Sequence, residues 1–135
     1  MSKMEKESRS GCPFCGESVE LRIIARENTV IAIRDKFPVT YLHTLVLPRR
    51  HVSDFFDLTP EEKADADRLL LSLKDGIIKE DPSVTGFNVG VNCGDTAGQT
   101  IMHAHIHLIP RRQGDVLNPR GGVRGVIPAK MDYRI

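Results

Sequence analysis

The stretch His103-Ala104-His105-Ile106-His107-Leu108-Ile109 puts three of the chain's five histidines at alternate positions, with apolar residues between and after them. Successive side chains of a β-strand point to opposite faces. A period of two therefore predicts one strand with three imidazoles on one face and apolar residues on the other. Same-face neighbours on a strand lie roughly 6.5 to 7 Å apart, close enough for one imidazole to attack a substrate while the next holds it or moves a proton. One or two histidines would read as the polar face of a half-buried strand. Three in one row point to a chemical site.

Upstream of this row, Phe87, Val89 and Val91 alternate with Asn88, Gly90 and Asn92. That pattern predicts a half-buried strand that enters the loop Gly94 to Gly98 and pairs with the histidine strand as in a hairpin. Val30 to Ile33 is a β-branched run, and Thr44 to Leu47 is a second one closed by Pro48, which predicts two neighbouring antiparallel strands joined by the turn Asp35 to Tyr41. Thr59-Pro60-Glu61-Glu62 reads as a helix start, with Thr59 as N-cap and Glu62 placed to close a capping box. From there Ala66, Leu69, Leu70, Leu73, Ile77 and Ile78 recur at three- and four-residue intervals, giving one face to lay on a sheet until Asp81-Pro82 ends the helix.

The 135 residues, 40% of them hydrophobic, suit one domain with a single sizeable core. That domain is expected over 11–117, after a mobile charged leader at 1–10 and before an extension at 118–135 that is rich in glycine and wraps the surface without regular structure. Nineteen basic and eighteen acidic residues leave a formal charge of +1, so no global field favours nucleic acid or an acidic membrane. No apolar run reaches the roughly 18 residues of a membrane span, and the polar start is unlike a secretory signal, so a cytoplasmic location is expected. Cys12-Pro13-Phe14-Cys15 fits such a reducing compartment, where paired thiols are more often metal ligands or redox centres than structural disulfides; Cys93 reads as a packing residue.

The segment from Gly98-Gln99-Thr100 through His103, His105 and His107 to Arg112 resembles the signature of the histidine triad family of nucleotide hydrolases and transferases, including its diadenosine polyphosphate hydrolases. His43-Thr44-Leu45-Val46-Leu47-Pro48-Arg49-Arg50-His51 resembles the family's upstream histidine strand, and the family order holds from Cys12 to Arg112, about three quarters of the chain. Leu42 departs from the pattern, since members usually carry glycine there. The resemblance implies an α+β fold: an antiparallel sheet of about five strands, helices on one face, and homodimers joined through the long helix. It also implies that His105 attacks the α-phosphorus of a nucleotide to form a nucleotidyl-histidine, which then yields to water. A neutral imidazole is a competent nucleophile near pH 7, and the phosphoramidate it forms is reactive enough to hydrolyse.

By the same resemblance His107 donates to a phosphate or leaving-group oxygen, and His43 sits behind His105 in support. Asn92 contacts phosphate, and Gln99 and Thr100 lie in the loop that gathers donors around it. Asp35 accepts from the ribose hydroxyls, against the plainer reading of a solvated turn aspartate. Arg111 and Arg112 either clamp terminal phosphates or form a solvated strand end.

The two-residue gap between Cys12 and Cys15 lets both thiolates grip one tetrahedral ion, and some triad proteins and the related hexose-1-phosphate uridylyltransferases complete such a site with histidines at the positions of His51 and His103. A structural zinc is expected there. A redox pair, a disulfide and idle thiols are the alternatives, the redox pair lacking the strand-to-helix setting that lowers a thiol's pKa. The expected activity is hydrolysis at the α-phosphorus of a dinucleoside polyphosphate or nucleoside phosphoramidate. Nucleotidyl transfer or phosphorolysis through the same intermediate, and a non-catalytic zinc-stabilised nucleotide-binding protein, are the competing readings.

Overall fold

A computed structural model describes residues 9–135, so the expected leader at 1–10 lies almost wholly outside the described residues. The β-branched run becomes β2 (Val30–Arg34), which pairs antiparallel with β3 (Thr44–Pro48), Val30 opposite Pro48 and Arg34 opposite Thr44. Two further strands, β4 (Val84–Gly90) and β5 (Ile106–Arg112), form the expected antiparallel pair around the glycine-bearing loop. A fifth strand, β1 (Ile23–Glu27), adds to β2, giving the sheet order β1-β2-β3-β5-β4. The β1–β2 turn places Asn28 at φ +48°, and fully buried Asp65 accepts from Asn28 and Thr29, tying the turn to the long helix.

Among the described residues two α-helices flank the sheet, α1 (Gly16–Glu20) and α2 (Pro60–Glu80). Thr59 caps α2 through the full capping box with Glu62. Burial pushes the Glu62 carboxyl up, but Arg50, at 2.8 Å, and the Thr59 amide hold it below its ordinary value overall. The start of α2 is thereby pinned to the residue beside His51.

Alternation along the strands sorts the two faces. Val30, Ala32, Val46, Ile106 and Leu108 pack with Ala66, Leu69, Leu73 and Ile77 of α2 in the main core. Ile31, Ile33, Leu45 and Leu47 point the other way, where Phe14 and Val19 cover them in a second cluster. The long helix thus covers one face, while short α1 lays Val19 on the opposite one. Because Ile106 and Leu108 face α2, His105 and His107 share the opposite face with Leu45 and Leu47.

Leu42 sits at φ +72°, a left-handed conformation that explains why glycine suits this position. Its side chain joins the main core, so burial offsets the strain.

The histidine row differs from the expectation of one continuous strand. β5 starts only at Ile106; His103 lies in a bend and His105 in the irregular approach to the strand. The cause is the end of β3. Pro48 has no N–H to continue the ladder, its carbonyl accepts from His103 Nε2 at 2.7 Å, and Ala104 N turns to Val52 O at 2.7 Å. The tail holds two short 3-10 turns, Gly122–Val126 and Pro128–Lys130. No helix among the described residues is long and apolar enough to cross a membrane.

Candidate active site and metal centre

His105 is buried, and its Nδ1 lies 2.8 Å from the His103 carbonyl oxygen. A carbonyl only accepts, so Nδ1 carries the proton and Nε2 presents its lone pair. Phe14 stacks edge-on at 5.2 Å from the His105 ring, fixing its plane, and the His107 ring stands 5.1 Å away.

His43 Nδ1 accepts from the Val39 amide at 3.0 Å, which leaves its proton on Nε2. That Nε2–H reaches His107 Nδ1 at 2.9 Å and stands 3.5 Å from Asp35 Oδ2. His107 Nδ1 is therefore an acceptor, and its own proton sits on Nε2. Burial pushes His107 down to about 4, with His105 and His43 adding to the effect and Asp35 opposing it. Burial likewise lowers His43, again against Asp35. Both are neutral near pH 7 with defined tautomers.

His43 thus stands behind His107, not behind His105 as the resemblance implied. The register is the reason. Leu45 pairs with His107 and Thr44 with Leu108, so the residue just before β3 arrives beside His107. Asp35 Oδ1 accepts from the Phe37 amide at 2.8 Å, and its other oxygen faces His43.

Cys12, Cys15, His51 and His103 bring one ligand atom each to within 4.8 Å of one another. With Zn–S near 2.3 Å and Zn–N near 2.05 Å, tetrahedral ligation spaces S and N donors about 3.6 Å apart. The observed separations are 3.6 Å for Cys12 Sγ to His103 Nδ1, 3.4 Å for Cys15 Sγ to His103 Nδ1 and 3.2 Å for Cys15 Sγ to His51 Nδ1. Donation of His103 Nε2–H to Pro48 O leaves Nδ1 as the ligating lone pair, and burial holds this imidazole neutral, down to about 4. Burial raises the Cys12 thiol to about 11. All three cysteines are free. The donor set and its spacing fit a zinc ion.

The loop residues divide. Gln99 is buried and spends its carboxamide on backbone: Oε1 accepts from Gly94 N at 2.9 Å, while Nε2 donates to Ser53 O at 2.8 Å and Ile101 O at 3.1 Å. It shapes the loop, and its polar atoms are already committed. Thr100 lines a hollow with Cys12 and His51, whereas Asn92 lines the cleft that holds His43 and His107. Arg111 is clamped by Asp115 at 2.8 and 2.7 Å and by Asn88, and Arg112 by Asp81 and the Tyr41 carbonyl, so neither is a free phosphate clamp. The carbonyls of Pro48 and His103 and the amide of Val39 set the tautomers of His103, His105 and His43, and through His43 that of His107. These backbone groups leave no mark in the sequence.

The sequence matches the HIT domain family over residues 17–114. An uncharacterized HIT-like protein of Mycobacterium tuberculosis H37Rv is 34% identical over 119 residues, covering 83% of this chain and 79% of that protein. AP-4-A phosphorylase of the same organism is 36% identical over 97 residues, covering 69% of this chain and 48% of its own length. Among solved structures, a HIT family protein from Bacillus anthracis superposes with a TM-score of 0.71 at 34% identity, over 78% of this chain and 77% of that one. A Zn-bound histidine triad family protein from Mycobacterium smegmatis gives 0.64 at 33% identity, over 71% and 69%.

Proposed function

The chain belongs to the HIT domain family, and on that premise we propose that it hydrolyses a dinucleoside polyphosphate or a nucleoside phosphoramidate at the α-phosphorus, with His105 as nucleophile. The observation that carries this reading is the bond from His105 Nδ1 to the His103 carbonyl, which leaves Nε2 unprotonated and oriented by its own backbone.

In the first step His105 Nε2 forms a bond to phosphorus and the bond to the leaving oxygen or nitrogen breaks. The leaving atom takes one proton from His107. An anionic phosphate beside His107 favours the protonated imidazole that burial alone disfavours. In the second step water attacks phosphorus, His105 departs as a neutral imidazole, and the proton released by water returns to His107. Nucleotide, proton and water balance over the cycle.

His43 supports the second histidine throughout, since its Nε2–H fixes His107 through Nδ1. Asn92 is proposed to contact phosphate from the cleft wall, and Asp35 to meet the ribose hydroxyls with the carboxylate that otherwise faces His43. Gln99 is proposed to act through the loop it holds, with Thr100 contributing its hydroxyl from that loop.

Cys12, Cys15, His51 and His103 would hold zinc, which when bound supplies a structural cross-link between the N-terminal segment, the turn after β3 and the approach to β5. A homodimer through α2 is supported by Leu71, 60% exposed on that helix. The second reading, transfer of the nucleotidyl group to phosphate, rests on the likeness to AP-4-A phosphorylase.

Turnover of diadenosine polyphosphates and adenosine 5′-phosphoramidate by the native chain and by His105→Ala, with and without added phosphate, tests the proposal. Hydrolysis lost in the variant and indifferent to phosphate supports it. Hydrolysis retained in the variant overturns it, and a nucleoside diphosphate formed only with phosphate selects the transfer reading.

A further inference from the structure

The segment that carries Cys12 and Cys15 is tied to the rest of the chain through its two thiols and one aromatic ring. Among the described residues, the loop backbone over 12–15 bonds only to its own neighbourhood: Cys12 N to Arg9 O, Cys15 N to Cys12 O and Ser18 N to Cys15 O. Phe14 N turns to Cys12 Sγ at 3.4 Å. The polar contacts with the body are those of Cys12 Sγ and Cys15 Sγ with His103 Nδ1, and of Cys15 Sγ with His51 Nδ1. The rest is apolar, with Phe14 only 3% exposed and packed among Ile31, Ile33, Leu45 and Leu47.

The Phe14 ring ends against the histidine row. Its centroid lies 5.2 Å from the His105 ring at an interplanar angle of 83° and 6.1 Å from the His103 ring at 79°, edge-on to both. His51 meets His103 edge-on at 5.1 Å. His103 in turn reaches His105 through its carbonyl, 2.8 Å from Nδ1. His105 is thus held at two points, and both belong to the four-residue donor set or to the loop between its members. His103 is one of the four, and Phe14 stands between Cys12 and Cys15.

The two contacts do different things. The carbonyl decides which nitrogen of His105 keeps its lone pair, and the Phe14 edge decides where that lone pair points. Neutral thiols are weak hydrogen-bond donors, so without a bound cation the segment keeps chiefly its apolar packing. An imidazole freed from the carbonyl can carry its proton on Nε2, where it then has no lone pair for phosphorus.

Resting on the reading of His105 as nucleophile, we infer that Phe14 is a positioning residue for His105, and that occupancy of the Cys12–Cys15–His51–His103 centre, beyond cross-linking the chain, governs how that imidazole is held.

The test uses adenosine 5′-phosphoramidate with the zinc-loaded native chain, the same chain stripped by a chelator, and zinc-loaded Phe14→Leu, which keeps an apolar side chain in the cluster and removes the ring. Values of kcat and KM are measured separately. Two-bond nitrogen–proton NMR spectra of the imidazoles, assigned by the signals lost in His105→Ala, report which nitrogen of His105 carries the proton. In the loaded native chain that is Nδ1. Stripping is expected to spread the proton over both nitrogens and to lower kcat about ten- to hundredfold, the combined worth of one hydrogen bond and one aromatic pair, with KM held within about twofold and zinc restoring both readouts. Phe14→Leu is expected to keep its zinc and to lose kcat about two- to tenfold, the worth of the aromatic pair alone.

A proton and a kcat both unmoved by stripping, or a Phe14→Leu chain as fast as the native one, overturns the inference and leaves the centre a cross-link only. A rise in KM at unchanged kcat in Phe14→Leu also overturns it, assigning the ring to substrate binding. Should the stripped chain unfold by circular dichroism, Phe14→Leu decides alone; should Phe14→Leu fail to fold or to load, stripping decides alone. If the native chain turns over no nucleotide, the hydrolase reading falls and the spectra judge the hold on His105 by themselves: a proton that moves on stripping supports it, and one that stays on Nδ1 overturns it.

Discussion

Replacing Leu42 by glycine restores the residue that the family pattern favours, yet it is expected to destabilise the protein. Leu42 is 9% exposed and packs in the core under α2, so removing its side chain costs about 2–5 kcal/mol, the range for leucine truncated in a core. Glycine also loses about 0.5–1 kcal/mol to the entropy of the unfolded chain. Against both stands relief of the left-handed strain at φ +72°, about 1–2 kcal/mol. The net effect of Leu42→Gly is a loss of about 2–4 kcal/mol. The sharper comparison is with Leu42→Ala, which loses nearly the same packing and keeps the strain. Glycine, normally the weaker residue by up to about 1 kcal/mol, should here be more stable than alanine by about 0.5–1 kcal/mol. Urea unfolding at fixed pH, with equal m-values for the two variants, reads this difference. An alanine variant more stable than the glycine variant would refute the left-handed backbone at this position and, with it, the account of why leucine is tolerated there.

Zinc loading at pH 7 should reach one ion per chain and release protons, because burial keeps the Cys12 thiol protonated, near 11, until the metal displaces it; calorimetry in buffers of different ionisation enthalpy counts them. Chelation should lower Tm by an amount on the order of 10 °C, and an unchanged Tm would contradict the cross-link. His107, held near 4 when folded against roughly 6.5 when unfolded, takes up its proton first in the unfolded chain. Its contribution to stability is therefore complete above pH 6.5 and is lost as pH falls toward 4. The native chain should lose stability through that window more steeply than His107→Gln, and parallel curves would contradict the burial argument. Gln99→Leu strands Gly94 N, Ser53 O and Ile101 O and should cost about 2–4 kcal/mol. A loss below about 0.5 kcal/mol would show that water replaces the carboxamide without consequence.

Local rules made much of the fold readable. The Thr59–Glu62 capping box, the apolar stripe of α2 and the β2–β3 pair all arise from interactions within a few residues or from side-chain periodicity. β1 is illegible in the sequence because it is an edge strand with no fully buried position: half-buried and exposed positions alternate along it, but Ile24 is exposed and Glu27 half-buried, so apolar and polar residues do not alternate in step. The period of two in the histidine row reports the face shared by His105 and His107 but not where the ladder begins. Alternation reports where side chains point, but the hydrogen bonds depend on the partner strand, and Pro48 ends that partner early.

In the site, the Cys12–Cys15–His51–His103 set was legible from the thiol spacing and the family order. The partner of His43 was not, because it depends on the β3–β5 register. Arg111 and Arg112 could not be separated from phosphate clamps until Asp115 and Asp81 were seen to hold them. The lining of the His43 and His107 cleft by Val123 and Val126 of the tail was equally hidden, since a segment broken by glycines gives no periodic signal for where it docks.

Trapping the reaction tests the central claim most directly. Native chain and His105→Ala are mixed with adenosine 5′-phosphoramidate or a diadenosine polyphosphate, quenched within the first turnovers without acid, and mapped by peptide mass spectrometry. The account predicts an adenylyl group on the peptide carrying His105, absent from the variant and lost as free nucleotide accumulates. Turnover by the native chain with no adduct on any histidine, or with the adduct on His107, would contradict the assignment of His105 as nucleophile.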